Sequence, residues 1–208
     1  SASMAHGMRQ GALSKFDYAR KVAAALAYVA FVNMDRVSLI AVADGVVKDM
    51  SGKRGKGQAW PAFEFLENLP NEGKTSLQAA FKRYFSAPRT KGVVLVISDF
   101  LDPAGFESAF KVLRQLRQEV FAVHVVSEEE LQPNLPDEVV LIDAEDGSAT
   151  KRQITPALID AYRAEFERYG EALDSFCTKN GWGYVRASTS VSFEDLVLRV
   201  LRQHGLLR

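Results

Sequence analysis

Gly92-Val-Val-Leu-Val-Ile-Ser98, with Asp99 directly behind it, is the stretch on which the fold turns. A strand with one wet face alternates apolar and polar side chains, whereas this run stays apolar from Val93 to Ile97. That pattern belongs to a strand covered on both faces, the normal situation in a parallel sheet layered by helices. It predicts a central strand. In open α/β sheets ligands bind beyond the carboxyl ends of the strands, so Asp99 stands where a functional carboxylate would. Three roles are open to it from position alone: metal ligand, nucleophile, or N-cap of the next helix.

On either side of this run strands and helices alternate. Phe16, Ala19, Ala23, Leu26 and Ala30 recur at helical steps and give one apolar face, with alanines that allow close packing on a sheet. Val37 to Ala43 reads as a strand, Asp44-Gly45 as a hairpin turn, and Val46 to Met50 as a short return strand. Ser51-Gly-Lys-Arg-Gly-Lys-Gly57 reads as a flexible basic loop. A helix from about Ala59 to Leu69, a break at Pro70 to Gly73, and a helix from about Ser76 to Phe85 lead into the central strand. Beyond it, Asp102-Pro103 offers an N-cap and first-turn proline for a helix near residues 104–118, and Glu119 to Val126 is the next strand. Val139 to Asp143 and Ala149 to Ile154 flank Glu145-Asp146-Gly147 as an inserted β-hairpin. Thr155-Pro156 opens a long helix to about Asn180, Gly183 to Ala187 is a last strand, and Ser192 opens a terminal helix. The alternation predicts an α/β, doubly wound, mostly parallel sheet with helices on both faces, in one domain over residues 1–208.

Composition narrows the function classes. At 208 residues, 47% hydrophobic and 25% charged, the chain can bury one sizeable core. Lys plus Arg and Asp plus Glu both number 26, so no global field favours nucleic acid or anionic lipid. Cys177 is the only cysteine, which removes an internal disulfide and a Cys-rich zinc site and fits a reducing, cytoplasmic compartment. The uncharged run from Val22 to Val32 is short of the roughly 20 apolar residues a bilayer span needs, so it reads as a core helix. A membrane anchor upstream stays open.

Ser1, Ser3 and Thr75 add oxygen donors to Asp99. Alone, two serines near a terminus are usually just solvated, and Thr75 reads as an N-cap. Together with a strand-end carboxylate they suit a hard cation such as Mg²⁺, which takes oxygen ligands in a near-octahedral shell and retains waters. Neutral hydroxyls leave the ion with uncompensated positive charge and an open position, which a partner's Glu or Asp can fill. That is recognition chemistry without turnover.

The sequence resembles a von Willebrand factor A-like domain, and within that superfamily the bacterial domain of unknown function 58 family. The residues carrying the resemblance are Ser1-Ala-Ser-Met4, a helix containing Lys15, Met34-Asp-Arg-Val37, Gly73-Lys-Thr-Ser-Leu77, Ile97-Ser-Asp-Phe-Leu101 and Leu141-Ile-Asp-Ala-Glu-Asp-Gly147. The resemblance implies a metal-ion-dependent adhesion site in which Ser1, Ser3, Thr75 and Asp99 hold Mg²⁺, or else Mn²⁺ or Ca²⁺, directly or through water. It implies a protein partner presenting Asp or Glu, a role in assembling or remodelling complexes beside a MoxR-type AAA+ ATPase, and no enzymatic activity. It further implies an aspartate two residues before Ser1, preceded by a strand lying between Val37–Ala43 and Gly92–Ser98; the sequence holds neither. A central gap in the sheet, weakened metal binding and a natural chain that continues upstream are therefore expected.

Other classes are less well supported by the residues. Gly73-Lys74-Thr75 suggests a phosphate loop, but the Walker pattern requires glycine where Asn68 stands. A hydrolase using Asp99 as phosphoryl acceptor is the better enzyme alternative, although position 101 is leucine where haloacid-dehalogenase-like enzymes carry a second acid. A metal-free scaffold is the third possibility. No G-x-S-x-G elbow or zinc spacing accompanies His6, His124 and His204; His124 reads as a structural residue in a strand. Glu128-Glu129-Glu130 reads as a solvated helix start and Cys177 as a packed thiol.

Overall fold

The computed structural model of the chain describes residue 4 and residues 13–43, 45–70, 76–86, 91–102, 104–115, 118–133, 135–136, 138–142 and 149–203. The elements run α1 (Lys15–Val32), β1 (Arg36–Ala43), β2 (Gly45–Arg54), α2 (Ala59–Glu67), α3 (Leu77–Tyr84), β3 (Val93–Ser98) and α4 (Phe106–Gln115). They continue as β4 (Glu119–Val126), α5 (Glu128–Leu131), β5 (Glu138–Ile142), β6 (Ala149–Gln153), α6 (Pro156–Lys179), β7 (Gly183–Ser188) and α7 (Phe193–Gln203). The chain is mixed α/β, and β3, β4 and β7 form a parallel three-stranded sheet in the order β3-β4-β7.

Within that sheet β4 is buried along its length except at Glu119, and its side chains alternate between two cores, as the period-2 geometry of a strand requires. Phe121, Val123 and Val125 join Val22 and Leu26 of α1 and Leu196 and Val200 of α7. Val120 and Ala122 join Phe110 and Leu113 of α4 and Leu173 and Cys177 of α6. A third, smaller cluster places Phe31 of α1 on Ala59 and Ala62 of α2, with Leu39 and Met50 from β1 and β2 packed against it. Cys177 is fully buried, and burial pushes its thiol up to about 12, so it acts as a small packed hydrophobe.

The core-facing stripe of α1 differs from the expected one. Ala19 and Leu26 are buried as expected, but Phe16, Ala23 and Ala30 are half-buried while Lys15, Tyr18, Val22 and Phe31 lie inside. Taking Ala23 and Ala30 as core positions rotated the expected face; the larger Tyr18, Val22 and Phe31 bury more area and set the true one.

The basic stretch after Met50 also departs from expectation. Residues 51–54 continue β2 instead of forming a loop, with Arg36 opposite Arg54 and Val37 opposite Lys53. Register shifts between Val37 and Leu39 and between Ala41 and Val42 absorb the mismatch that such an extension creates. Gly52, at φ 67, donates its N–H to Ser38 Oγ at 3.0 Å, and Arg54 Nε donates to the Met34 carbonyl at 2.5 Å. Asp44 of the expected turn lies outside the described residues.

Most remaining elements fall where the pattern places them. The β5–β6 hairpin is antiparallel, with Ile142 opposite Ala149. Thr155 caps α6, accepting from Leu158 N at 3.2 Å, with Pro156 at its first position. Among the described residues β1 pairs with β2 and β3 with β4, and no ladder joins β1 to β3, the two strands flanking the expected gap. No helix among the described residues is long and apolar enough to cross a membrane.

Phe110 is fully buried and its ring meets Phe100, Phe106, Phe176 and Trp182 edge-on or tilted. Phe110→Ala is expected to lower the unfolding free energy by about 3–5 kcal/mol in urea titrations. Trp60→Ala, at a residue 78% exposed, should change it by less than about 0.5 kcal/mol.

Candidate functional site at the carboxyl ends of the central strands

Asp99 follows the last residue of β3 and is only 4% exposed. The chain turns sharply here. Ser98 Oγ accepts from Phe100 N at 3.0 Å, Asp99 Oδ1 accepts from Leu101 N at 3.3 Å, and Asp102 N donates to the Phe100 carbonyl at 2.8 Å. Phe100 sits at φ 56, a left-handed conformation that costs a bulky L-residue on the order of 1–2 kcal/mol. Its surroundings hold it there: the ring is fully buried against Phe110 and His124, and Tyr169 donates its hydroxyl to the Phe100 carbonyl at 2.6 Å.

Asp102, expected to cap the helix near residue 104, instead joins two elements. Its Oδ2 accepts from Leu77 N at the start of α3 at 2.8 Å, while its Oδ1 accepts from Ala104 N at 2.8 Å. α4 begins at Phe106, and Ser76 Oγ caps α3 by accepting from Ala79 N at 3.4 Å. The two helices are thus tied to the turn that carries Asp99.

The partner of Asp99 is Lys15. Its Nζ donates to Asp99 Oδ2 at 3.1 Å and to Glu130 Oε1 at 2.6 Å, with the lysine side chain 1% exposed. Lys15 is the first residue of α1, where the helix dipole disfavours a cation, so the two carboxylates offset both the dipole and the desolvation. Ser14 caps that helix, accepting from Asp17 N at 3.0 Å. Glu130 is itself fixed by a capping box: its Oε2 accepts from Ser127 N at 2.8 Å while Ser127 Oγ accepts from Glu130 N at 3.2 Å. The expected solvated acidic run therefore contributes one residue to the interior of the site.

Of the expected oxygen donors, Ser1, Ser3 and Thr75 lie outside the described residues, and only Asp99 can be placed. Both of its carboxylate oxygens already accept hydrogen bonds, one of them from an ammonium. Among the described residues no group of three or more His, Cys, Asp and Glu side chains is arranged to hold a metal ion. The described donor set holds a lysine cation and does not by itself fit a divalent one, which would face the Lys15 charge across Asp99. Lys15 and Glu130 were missed as site residues because neither has a local signature; a lysine opening a helix, against its dipole, was the one available signal.

His124 on β4 lies beneath the turn, opposite Ser98 in the ladder. It is buried, as expected of a structural residue, with Nδ1 3.0 Å from the Tyr184 hydroxyl and a hydrogen bond to the Asp99 backbone. Burial, assisted by the Arg186 charge, pushes its pKa down to about 4. Its folded pKa lies below the unfolded value of about 6.5, so below that value the unfolded chain binds a proton that the folded chain does not. Stability should fall as pH drops from about 6.5 to about 4, by at most about 3 kcal/mol. His124→Gln should flatten that part of the pH profile in urea unfolding relative to the unsubstituted protein.

Known proteins share this architecture. Uncharacterized proteins of Mycobacterium tuberculosis and Mycobacterium bovis are 26% identical over 184 residues, covering 81% of this chain. The chain spans 57% of the length of those relatives. Among solved structures, a conserved hypothetical protein BatB from Bacteroides thetaiotaomicron superposes with a TM-score of 0.55 at 15% identity, over 99% of this chain and 95% of that one. An aerotolerance-related membrane protein from Bacteroides fragilis, carrying multiple mutations to serines, gives a TM-score of 0.56 at 16% identity, over 100% and 95%. At those identities the likeness concerns the fold alone. A family model matches residues 1–173, and the chain accordingly belongs to DUF58, a family described as proteins of unknown function.

Proposed function

We propose that this chain is a non-enzymatic protein-interaction module of the von Willebrand A-like type, contacting its partner at the carboxyl ends of β3 and β4. The observation that carries the reading is the state of Asp99: buried at the ligand-binding edge of a parallel sheet, with both oxygens engaged. A phosphoryl-accepting aspartate must attack its substrate with an oxygen lone pair. Asp99 Oδ2 is charge-paired with the Lys15 ammonium, which lowers its nucleophilicity and supports recognition over turnover. In this reading an apolar strand set between β1 and β3 would join the β1–β2 pair and the β3-β4-β7 sheet into one doubly wound sheet, with α1 packed across the junction.

The partner in this proposal presents Asp or Glu and works beside a MoxR-type AAA+ ATPase in assembling or remodelling a complex, with no role for nucleic acid. The module would act on the cytoplasmic side. Leu101, 46% exposed beside Asp99, lies on the contact face. A Mg²⁺-dependent form of the contact, using Ser1, Ser3, Thr75 and Asp99, would require Lys15 to release Asp99 Oδ2.

Two measurements test the reading. Binding to a MoxR-type ATPase from the same genome, followed by calorimetry, should weaken at least about 10-fold in Leu101→Asp and less in Leu101→Lys. Val140→Asp, on the exposed β5–β6 hairpin, should leave it unchanged. In phosphomonoester hydrolysis assays with Mg²⁺ the chain should show no turnover above background; turnover abolished by Asp99→Asn would establish the hydrolase instead.

A further inference from the structure

We infer that Lys15 is the resident cation of the Asp99 site, holding by an internal ammonium the place that a divalent ion would need. The inference goes beyond the proposed contact, because it concerns what neutralises the site whether or not a partner binds. Three observations support it. First, Lys15 Nζ bridges Asp99 Oδ2 and Glu130 Oε1 at 3.1 and 2.6 Å, two carboxylates that come from different strands' ends and lie 31 residues apart in sequence. Second, the ammonium is 1% exposed, so its charge is compensated by these groups and not by solvent. Third, Glu130 is clamped by its capping box with Ser127, so the second carboxylate is delivered by the fold and not by a mobile side chain.

The charges follow a simple sum. One ammonium and two carboxylates leave one negative charge, which the partial positive charge at the N-terminus of α1 partly offsets. Adding a divalent ion at Asp99 while Lys15 stays would turn that sum from one negative to one positive charge, with two cations sharing the Asp99 carboxylate in a weakly screened interior. Removing the ammonium reverses that balance and leaves the buried Asp99 and the partly exposed Glu130 as two uncompensated acids.

Replacing Lys15 by methionine keeps the length and apolar stem of the side chain and removes its charge. Mg²⁺ and Mn²⁺ titrations of the chain, of Lys15→Met and of Lys15→Arg, read by thermal unfolding and calorimetry, decide the matter. The unsubstituted chain and Lys15→Arg should shift their Tm by less than about 1 °C at millimolar metal, whereas Lys15→Met should gain about 5 °C or more and lose that gain with an added Asp99→Asn. Should Lys15→Met not fold without metal, recovery of its folding by Mn²⁺ carries the same meaning. Mn²⁺ bound to the unsubstituted chain, detected by paramagnetic broadening at Phe100 and Leu101 and removed by Asp99→Asn, would overturn the inference. So would a folded Lys15→Met that stays indifferent to both metals. Neither outcome involves a partner, so a failed contact and a failed lysine assignment are separately visible.

Discussion

A buried ammonium at the start of a helix is held against two opposing effects, the loss of its hydration and the adverse end of the helix dipole. Lys15 meets both, and the arrangement around it is what the carboxyl-end face depends on. Asp99 supplies one counter-charge from the end of β3, and Glu130 supplies the other from the short helix after β4. Each carboxylate is aimed by its own local device: a left-handed Phe100 and a turn of short hydrogen bonds for Asp99, a capping box for Glu130. One interaction thereby ties α1 to the ends of two neighbouring strands.

The layers beneath make this possible. β4 carries apolar side chains to both faces, so the middle of the sheet is dry on each side. His124 is the exception inside the sheet. It stays neutral because its imidazole is buried and lies near the Arg186 charge, which together outweigh the hydrogen bond to the Asp99 backbone. Strain at Phe100 is retained where the surrounding rings and the Tyr169 hydroxyl fix it, a pattern common at sites that bind or switch.

Much of the framework was legible in the sequence because it rests on local patterns. The unbroken apolar run of β3, the Thr155-Pro156 start of α6 and the β5–β6 hairpin follow from periodicity and capping. The basic residues of β2 were misread as a loop because glycine and lysine are poor strand formers, and only the pairing with β1 overrides that preference. At the site, Asp99 was legible from its place after an apolar strand, although β3 lies at the edge of the described three-stranded sheet, with only Val96 buried, and β4 takes the central place expected of it. Lys15 and Glu130 were not, since a contact across 115 positions leaves no spacing to read. The role of Asp102 was half legible: a cap was expected, and it reaches α3 as well.

The coupling between Lys15 and Asp99 is the centre of this account, and a double-mutant cycle measures it most directly. Lys15→Met, Asp99→Leu and the double variant would be unfolded in urea alongside the unsubstituted chain. Lys15→Met should cost about 3–5 kcal/mol by stranding the buried Asp99, Asp99→Leu should cost less because Glu130 still faces Lys15, and the double variant should cost less than the sum of the two by at least about 2 kcal/mol. Single effects that add to within about 0.5 kcal/mol would show that the two charges do not depend on each other, and would contradict the account.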